Sequence, residues 1–205
     1  MKLHYLHIVV PQGEEANPKK EHLFEELLMN FHNIIKGKSI SLEFYGFEQY
    51  SYCYVVVPDA LKETLEGLLY SSYPDCEIKE TQDYTQHFDA DHDVIAGTSL
   101  RFSYNDVYAF KNYGVFAEDS QSNLFSVISK IASGERVWIQ IVINPIDETA
   151  AYHFKRNWAM RLARIRQHFH VRDWMRSKDS DIRGRRKQVM DEKYQQNPFH
   201  VAVRC

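Results

Sequence analysis

The chain has 205 residues, 44% hydrophobic and 14% aromatic, with 13 Tyr and 12 Phe against only 8 Gly and 6 Pro; this excludes a disordered or fibrous chain and suits one large domain or two of about 100 residues. The net charge of −3 is unevenly spread: residues 1–152 hold 11 Lys and Arg against 23 Asp and Glu, a balance of −12, and residues 153–205 hold 14 against 5, a balance of +9. No apolar run approaches the ~18–20 residues that cross a bilayer, the first ten residues lack the form of a signal peptide, and three Cys without a CxxC pair read as reduced thiols, so the expected compartment is the cytosol.

Leu3, Tyr5, His7 and Val9 alternate and stop at Pro11, which predicts a first strand. Asn17-Pro18 opens a helix carried by Leu23, Phe24, Leu27, Leu28, Phe31, Ile34 and Ile35, and Gly37 ends it. Ile40, Leu42 and Phe44 alternate, a turn falls near Gly46, and Tyr50, Tyr52, Tyr54 and Val56 alternate again; together they read as an antiparallel hairpin. Pro58-Asp59 starts a second helix bearing Leu61, Leu65, Leu68 and Leu69, Pro74 breaks it, and Cys76 to Ile78 begins a short strand. The order β-α-β-β-α-β is the split, ferredoxin-like arrangement, with two helices on one face of a four-stranded sheet.

Residues 83–97 are polar and acidic and read as a linker. Beyond it Leu100, Phe102 and Tyr104 alternate, and Asp119-Ser120 caps a helix with Leu124, Phe125, Ile128 and Ile131 that ends at Gly134. Val137, Ile139, Ile141 and Ile143 form the clearest strand, closed by Pro145. A long helix follows through Ala151, Phe154, Trp158, Leu162 and Ile165, then a polar stretch and a last strand, Phe199, Val201, Val203. The expected fold is therefore α+β: a ferredoxin-like half over 1–82, the linker 83–97, and over 98–205 a second, incomplete ferredoxin-like half with a long helical insertion. That second half ends on a strand, which points to a truncated unit.

Several strings imitate known sites. Gly37-Lys38-Ser39 resembles the end of a phosphate loop, but His32 stands where that loop needs Gly, and the triplet leaves a helix instead of opening one; it reads as a helix C-cap. Asp89, Asp91 and Asp93 imitate the start of a calcium loop, yet Val94 and Leu100 occupy its Gly and Glu positions. His87 and His92 among these Asp residues, and His168 and His170 beside Asp173, lack a scaffold for three or four rigid metal ligands. No G-x-S-x-G, HExxH or Walker A motif occurs, so no catalytic residue, cofactor or metal is expected, and the chain reads as no enzyme. The basic quarter is different: Arg161, Arg164, Arg166, Arg172, Arg176, Arg183, Arg185, Arg186 and Lys187, with Trp174 interleaved, could track phosphates while the ring stacks on bases. A surface paired with the acidic body or a partner, or else a solvated helix face, accounts for the same residues more simply.

The strings Phe31–Ile34, Ile40–Phe44, Tyr54–Pro58, Leu65–Ile78, Gly134–Pro145 and Lys193–Arg204 together resemble the N-terminal, non-ATPase region of large bacterial conjugation and type IV secretion-type ATPases. The resemblance spans nearly the whole chain and rests mostly on structural motifs. It implies a non-catalytic platform placed before a RecA-like ATPase, with the cognate ATPase or a second copy as protein partner and no small-molecule substrate. Its expected place is the cytosol, reached by the inner face of the membrane only through partners. The ATPase domain itself has no counterpart in these residues. DNA bound by the basic quarter, and an enzyme of unrecognised type, are the alternatives.

Overall fold

The computed structural model describes residues 2–9, 21–35, 37–89, 91–101, 120–146, 157–158, 161 and 198–205. The chain divides into two compact units. One is made of Met1–Arg101, Glu118–Pro145 and Phe199–Cys205, and the other of Phe102–Ala117 and Ile146–Pro198. Nearly all described residues lie in the first.

In that unit the strand β1 (Leu3–Val9) is followed by helix α1 (Glu21–Ile34), the hairpin β2 (Ile40–Phe47) and β3 (Tyr50–Pro58), a 3-10 turn (Asp59–Leu61), α2 (Lys62–Ser72) and β4 (Glu77–Thr81). A second 3-10 turn (Tyr84–His87), β5 (Ser99–Leu100), α3 (Ser120–Ile128), β6 (Arg136–Pro145) and β7 (Phe199–Arg204) complete it. The seven strands form one antiparallel sheet in the order β4-β1-β3-β2-β6-β7-β5.

The expectation of a second, separate sheet after residue 98 is corrected by this pairing. β2 is not an edge strand: every residue from Ile40 to Phe47 also pairs with β6, from Ile143 back to Arg136. The reason is visible in β2 itself. Ile40, Leu42 and Phe44 alternate with Glu43, Tyr45 and Phe47, so both faces carry residues to bury, and a strand of this kind is stabilised by neighbours on both sides.

The hairpin turn is also displaced from its expected place. It is formed by Glu48 and Gln49, both left-handed with φ of 49° and 69°, the two-residue geometry whose twist matches that of paired strands. Gly46 lies inside β2, where a Cβ would run into the side chain of Ile128 on α3; the glycine is there to let the helix approach. Gly37 ends α1 with φ of 73°, as a C-cap glycine does.

The main core lies under the helices. Leu6 from β1, Ile40 from β2, Val55 and Val57 from β3 and Ile143 from β6 meet Leu27, Phe31 and Ile35 of the α1 region and Leu61, Leu65 and Leu69 of the α2 region. Each fully buried aliphatic side chain contributes about 1.5–3 kcal/mol relative to exposure. Cys53, Cys76 and Cys205 are free, and burial pushes the Cys53 and Cys76 thiols up, so both stay protonated at neutral pH. No described helix is long and apolar enough to cross a membrane.

Candidate functional site: an aromatic sheet face

Strand alternation sends Tyr5 and His7 of β1, Tyr52 and Tyr54 of β3, Glu43, Tyr45 and Phe47 of β2, and Trp138 and Gln140 of β6 to the face opposite the helices. Register sets them in rows across the strands: His7 beside Tyr54, Tyr54 beside Glu43, Glu43 beside Gln140. One row further along, Tyr52, Tyr45 and Trp138 are neighbours. The rings of Tyr45 and Trp138 stack at 5.7 Å and 18°, and Tyr45 and Phe47 at 6.2 Å and 8°. His7 lies 5.2 Å from Tyr54 and 5.6 Å from Tyr52. The Arg136 guanidinium sits 5.5 Å above the Phe47 ring.

Tyr84 covers the middle of this face. It leaves the sheet just after β4, in a 3-10 turn whose N-cap Asp83 accepts from the Thr85 backbone and hydroxyl at 3.0 and 2.6 Å. Its ring stacks on Tyr54 at 4.5 Å and 22°, lies 4.8 Å from Tyr45, and meets Tyr5 edge-on at 5.9 Å. Its hydroxyl donates to Oε2 of Glu43, and Gln140 Nε2 donates to Oε1 of the same residue at 3.2 Å. Glu43 is only 5% exposed, so these two donors satisfy a carboxyl group that would otherwise be costly to bury. Burial, aided by Glu43, pushes the Tyr84 hydroxyl well above the ordinary tyrosine range, and burial with Asp83 alongside pushes Tyr5 up to about 12. The phenols are therefore hydrogen-bond donors across the physiological range.

Around this plug the face is only partly covered. His7, Phe47, Tyr52 and Trp138 are half-buried, and Tyr50 at the hairpin end is 68% exposed. The indole N–H of Trp138 is buried without an acceptor among the described residues, an arrangement that costs roughly 1–3 kcal/mol unless something supplies one. Burial holds His7 below the ordinary histidine range, which makes it neutral and able to offer a lone pair or an N–H.

A second polar cluster lies on the helix side, at the corner of β1, β4 and the start of α2. His4 is 5% exposed, with Nδ1 2.5 Å from Glu80 Oε1 and Nε2 2.8 Å from Asp59 Oδ1. Lys62 Nζ lies 2.5 Å from Glu80 Oε2. Lys62 and then His4 hold the Glu80 carboxyl down at about 2, His4 holds Asp59 below its ordinary value, and Glu80 followed by Asp59 raises His4.

A shallow crevice between the helices and the sheet, lined by Phe31, Ile35, Ile40, Val57, Leu61 and Leu65, carries no titratable side chain and has no room for a water molecule. No group of three or more His, Cys, Asp or Glu with metal-binding geometry occurs among the described residues.

Of the residues singled out for nucleic-acid or partner contact, Arg161 is described and exposed, as is Trp158 nearby, which is 57% exposed. Arg164, Arg166, Arg172, Trp174, Arg176, Arg183, Arg185, Arg186 and Lys187 lie outside the described residues, as do His168, His170 and Asp173. The Asp89–Asp93 stretch is tied to itself: Asp89 accepts from the Asp91 backbone at 3.0 Å and from His92 at 2.7 Å, and Asp93 accepts from the Asp89 backbone at 2.9 Å. Asp93 also reaches Arg136 at 3.6 Å. The aromatic face was missed as a site. Its signal was present in the Tyr50-Tyr52-Tyr54 alternation, but Tyr84 sits in a stretch that reads as linker.

A family model described as a domain of unknown function (DUF8128) matches residues 14–205. No curated protein and no solved structure matches the chain.

Proposed function

The chain belongs to the DUF8128 family; we propose that it is a non-catalytic docking module of a type IV secretion or DNA-conjugation-type ATPase system, engaging its partner through the aromatic sheet face. The partner is the RecA-like ATPase domain of such a system, on the cytosolic side of the membrane. The resemblance of the strings between Phe31 and Arg204 supplies the system. The aromatic face supplies the surface.

The single observation that carries the reading is the contrast at that face. Four half-buried rings (His7, Phe47, Tyr52, Trp138) flank a satisfied centre, and one buried indole N–H has no acceptor among the described residues. Aromatic side chains that bring large area and a polar tip are those enriched at the centres of protein interfaces. The order β4-β1-β3-β2 with α1 and α2 on one side supports reading this part of the sheet as ferredoxin-like, a scaffold whose open face is free to serve contacts. Light scattering of the full chain, alone and mixed with the ATPase domain, tests the reading. A complex is expected, and a strict monomer that binds nothing would refute it.

The charge division favours a second reading, DNA binding by the basic quarter, because residues 153–205 carry a balance of +9. It predicts affinity that falls steeply with salt, and a loss that is uniform across DNA sequences when Arg185, Arg186 and Lys187 become Ala. No retardation at low salt would dispose of it.

A further inference from the structure

A neutral imidazole has one N–H and one lone pair. His4 has a carboxyl oxygen within hydrogen-bond distance of each ring nitrogen, Glu80 at 2.5 Å and Asp59 at 2.8 Å. Neither acceptor has a proton to offer: Lys62 lies 2.5 Å from the other oxygen of Glu80, and Asp59 is 70% exposed to water. Both ring nitrogens must therefore donate, and the side chain at this corner is an imidazolium. It ties together three elements that are distant in sequence: β1 through His4, β4 through Glu80, and the turn into α2 through Asp59 and Lys62.

The tie has a further reach. Glu80 is the penultimate residue of β4, and the next residue, Thr81, donates its hydroxyl to the Tyr5 carbonyl at 3.3 Å. Asp83 then caps the turn that carries Tyr84 onto Tyr54, Tyr45 and Glu43. Gln82, Thr85 and Gln86 around it are exposed. The turn is thus held by the Tyr84 ring at one end and by β4 at the other.

We propose that protonated His4 is a pin for the base of this turn, and that loss of its second N–H loosens residues 82–88 and uncovers Tyr45, Tyr54 and Glu43. A deprotonated ring would point a lone pair at one of two carboxylates, which turns a charge-assisted bond into a repulsion. The groups facing His4 are Lys2 just before β1, Asp59 on the turn, Lys62 on α2 and Glu80 on β4, with Glu66 acting on Lys62. Asp59 and Glu80 are held ionised and Lys62 cationic, so the imidazole is the member of these pairs that gives up its proton first as pH rises above 6.5. On the other side of the turn Tyr5 and Tyr84 titrate far above neutrality. Burial alone would raise Asp83, but bonds from Thr85 hold it low, and His7 is already neutral. The device thus acts on the aromatic face from beneath, whether or not a partner binds there.

The test uses the full chain in a His92→Gln background, which removes the imidazole paired with Asp89. The His4 ring is followed by NMR from about pH 5.5 to 8.5. Amide exchange of residues 82–88 is read as a ratio to that of β3, so the intrinsic pH dependence cancels. The expected result is a His4 midpoint above 6.5, with protection of 82–88 falling by up to about tenfold per pH unit beyond it. His4→Gln is expected to abolish that pH dependence, and Glu80→Gln to weaken it should His4→Gln not fold. A His4 midpoint at or below 6.5, a flat ratio in the wild type, or a pH dependence that survives His4→Gln would each overturn the proposal.

Discussion

The two faces of the sheet use alternate residues of the same strands, yet they solve burial differently. Under α1 and α2 the inward positions Leu6, Ile40, Val55, Val57 and Ile143 are aliphatic and meet apolar helix residues, while the buried polar His4 and His32 lie outside that cluster. On the far face Tyr5, Tyr45 and Tyr54 surround a buried Glu43, and one short turn supplies the ring that closes over them. The first solution makes a core that excludes everything else. The second makes a surface whose centre is closed by a small, separately tethered piece of chain, and whose margins stay half-open. The same backbone therefore closes one face completely and leaves the margin of the other half-buried.

Leu6→Ala should separate the faces most sharply. Leu6 is fully buried, and its truncation is expected to cost about 2–5 kcal/mol in a denaturant titration; a loss below 1 kcal/mol would mean the helix face is not the stabilising one. Tyr84→Phe keeps the ring and removes the donor to Glu43, for an expected loss of roughly 1–3 kcal/mol. An unchanged midpoint would show that Glu43 finds another donor and that the centre is less closed than described.

The corner at His4 adds a pH signature to the comparison. A raised histidine contributes stability that is complete below 6.5 and is lost as pH rises through its folded value. A lowered Glu80 contributes stability that is complete above 4.5 and is lost as pH falls towards about 2. The contribution of this corner should therefore be greatest between 4.5 and 6.5, and thermal melts of wild type and His4→Gln should converge once pH has risen through the folded His4 value; parallel curves would contradict it. The smallest effect is expected at the hairpin, where Gln49→Gly relieves a left-handed residue and should raise stability by about 0.5–1 kcal/mol without touching either face.

The elements were legible because each carries a periodicity and a stop: Leu23 to Ile35 at helical spacing with Gly37 behind them, Val137 to Ile143 alternating up to Pro145. Their assembly was not. Nothing in the alternation of β2 says which strand lies on its second side, and its neighbour β6 is about a hundred residues away in the chain, Glu43 opposite Gln140. Gly46 looked like a turn because glycine usually marks one, whereas its role is to admit Ile128. Tyr84 was hidden for a related reason: a single ring among Gln82, Asp83, Thr85 and Gln86 has no period, so its burial depends wholly on tertiary contact. The His4 corner joins positions 4, 59, 62 and 80, spacings that no local rule connects.

The central claim is that the half-open margin of the aromatic face is where the partner sits. Replacing His7, Tyr52 and Trp138 together by Ser tests it directly, with binding of the full chain to the ATPase domain measured by light scattering beside its thermal midpoint. The account predicts that the complex is lost while the helix-covered core keeps the variant folded. A variant that is folded and binds as the wild type does would contradict it.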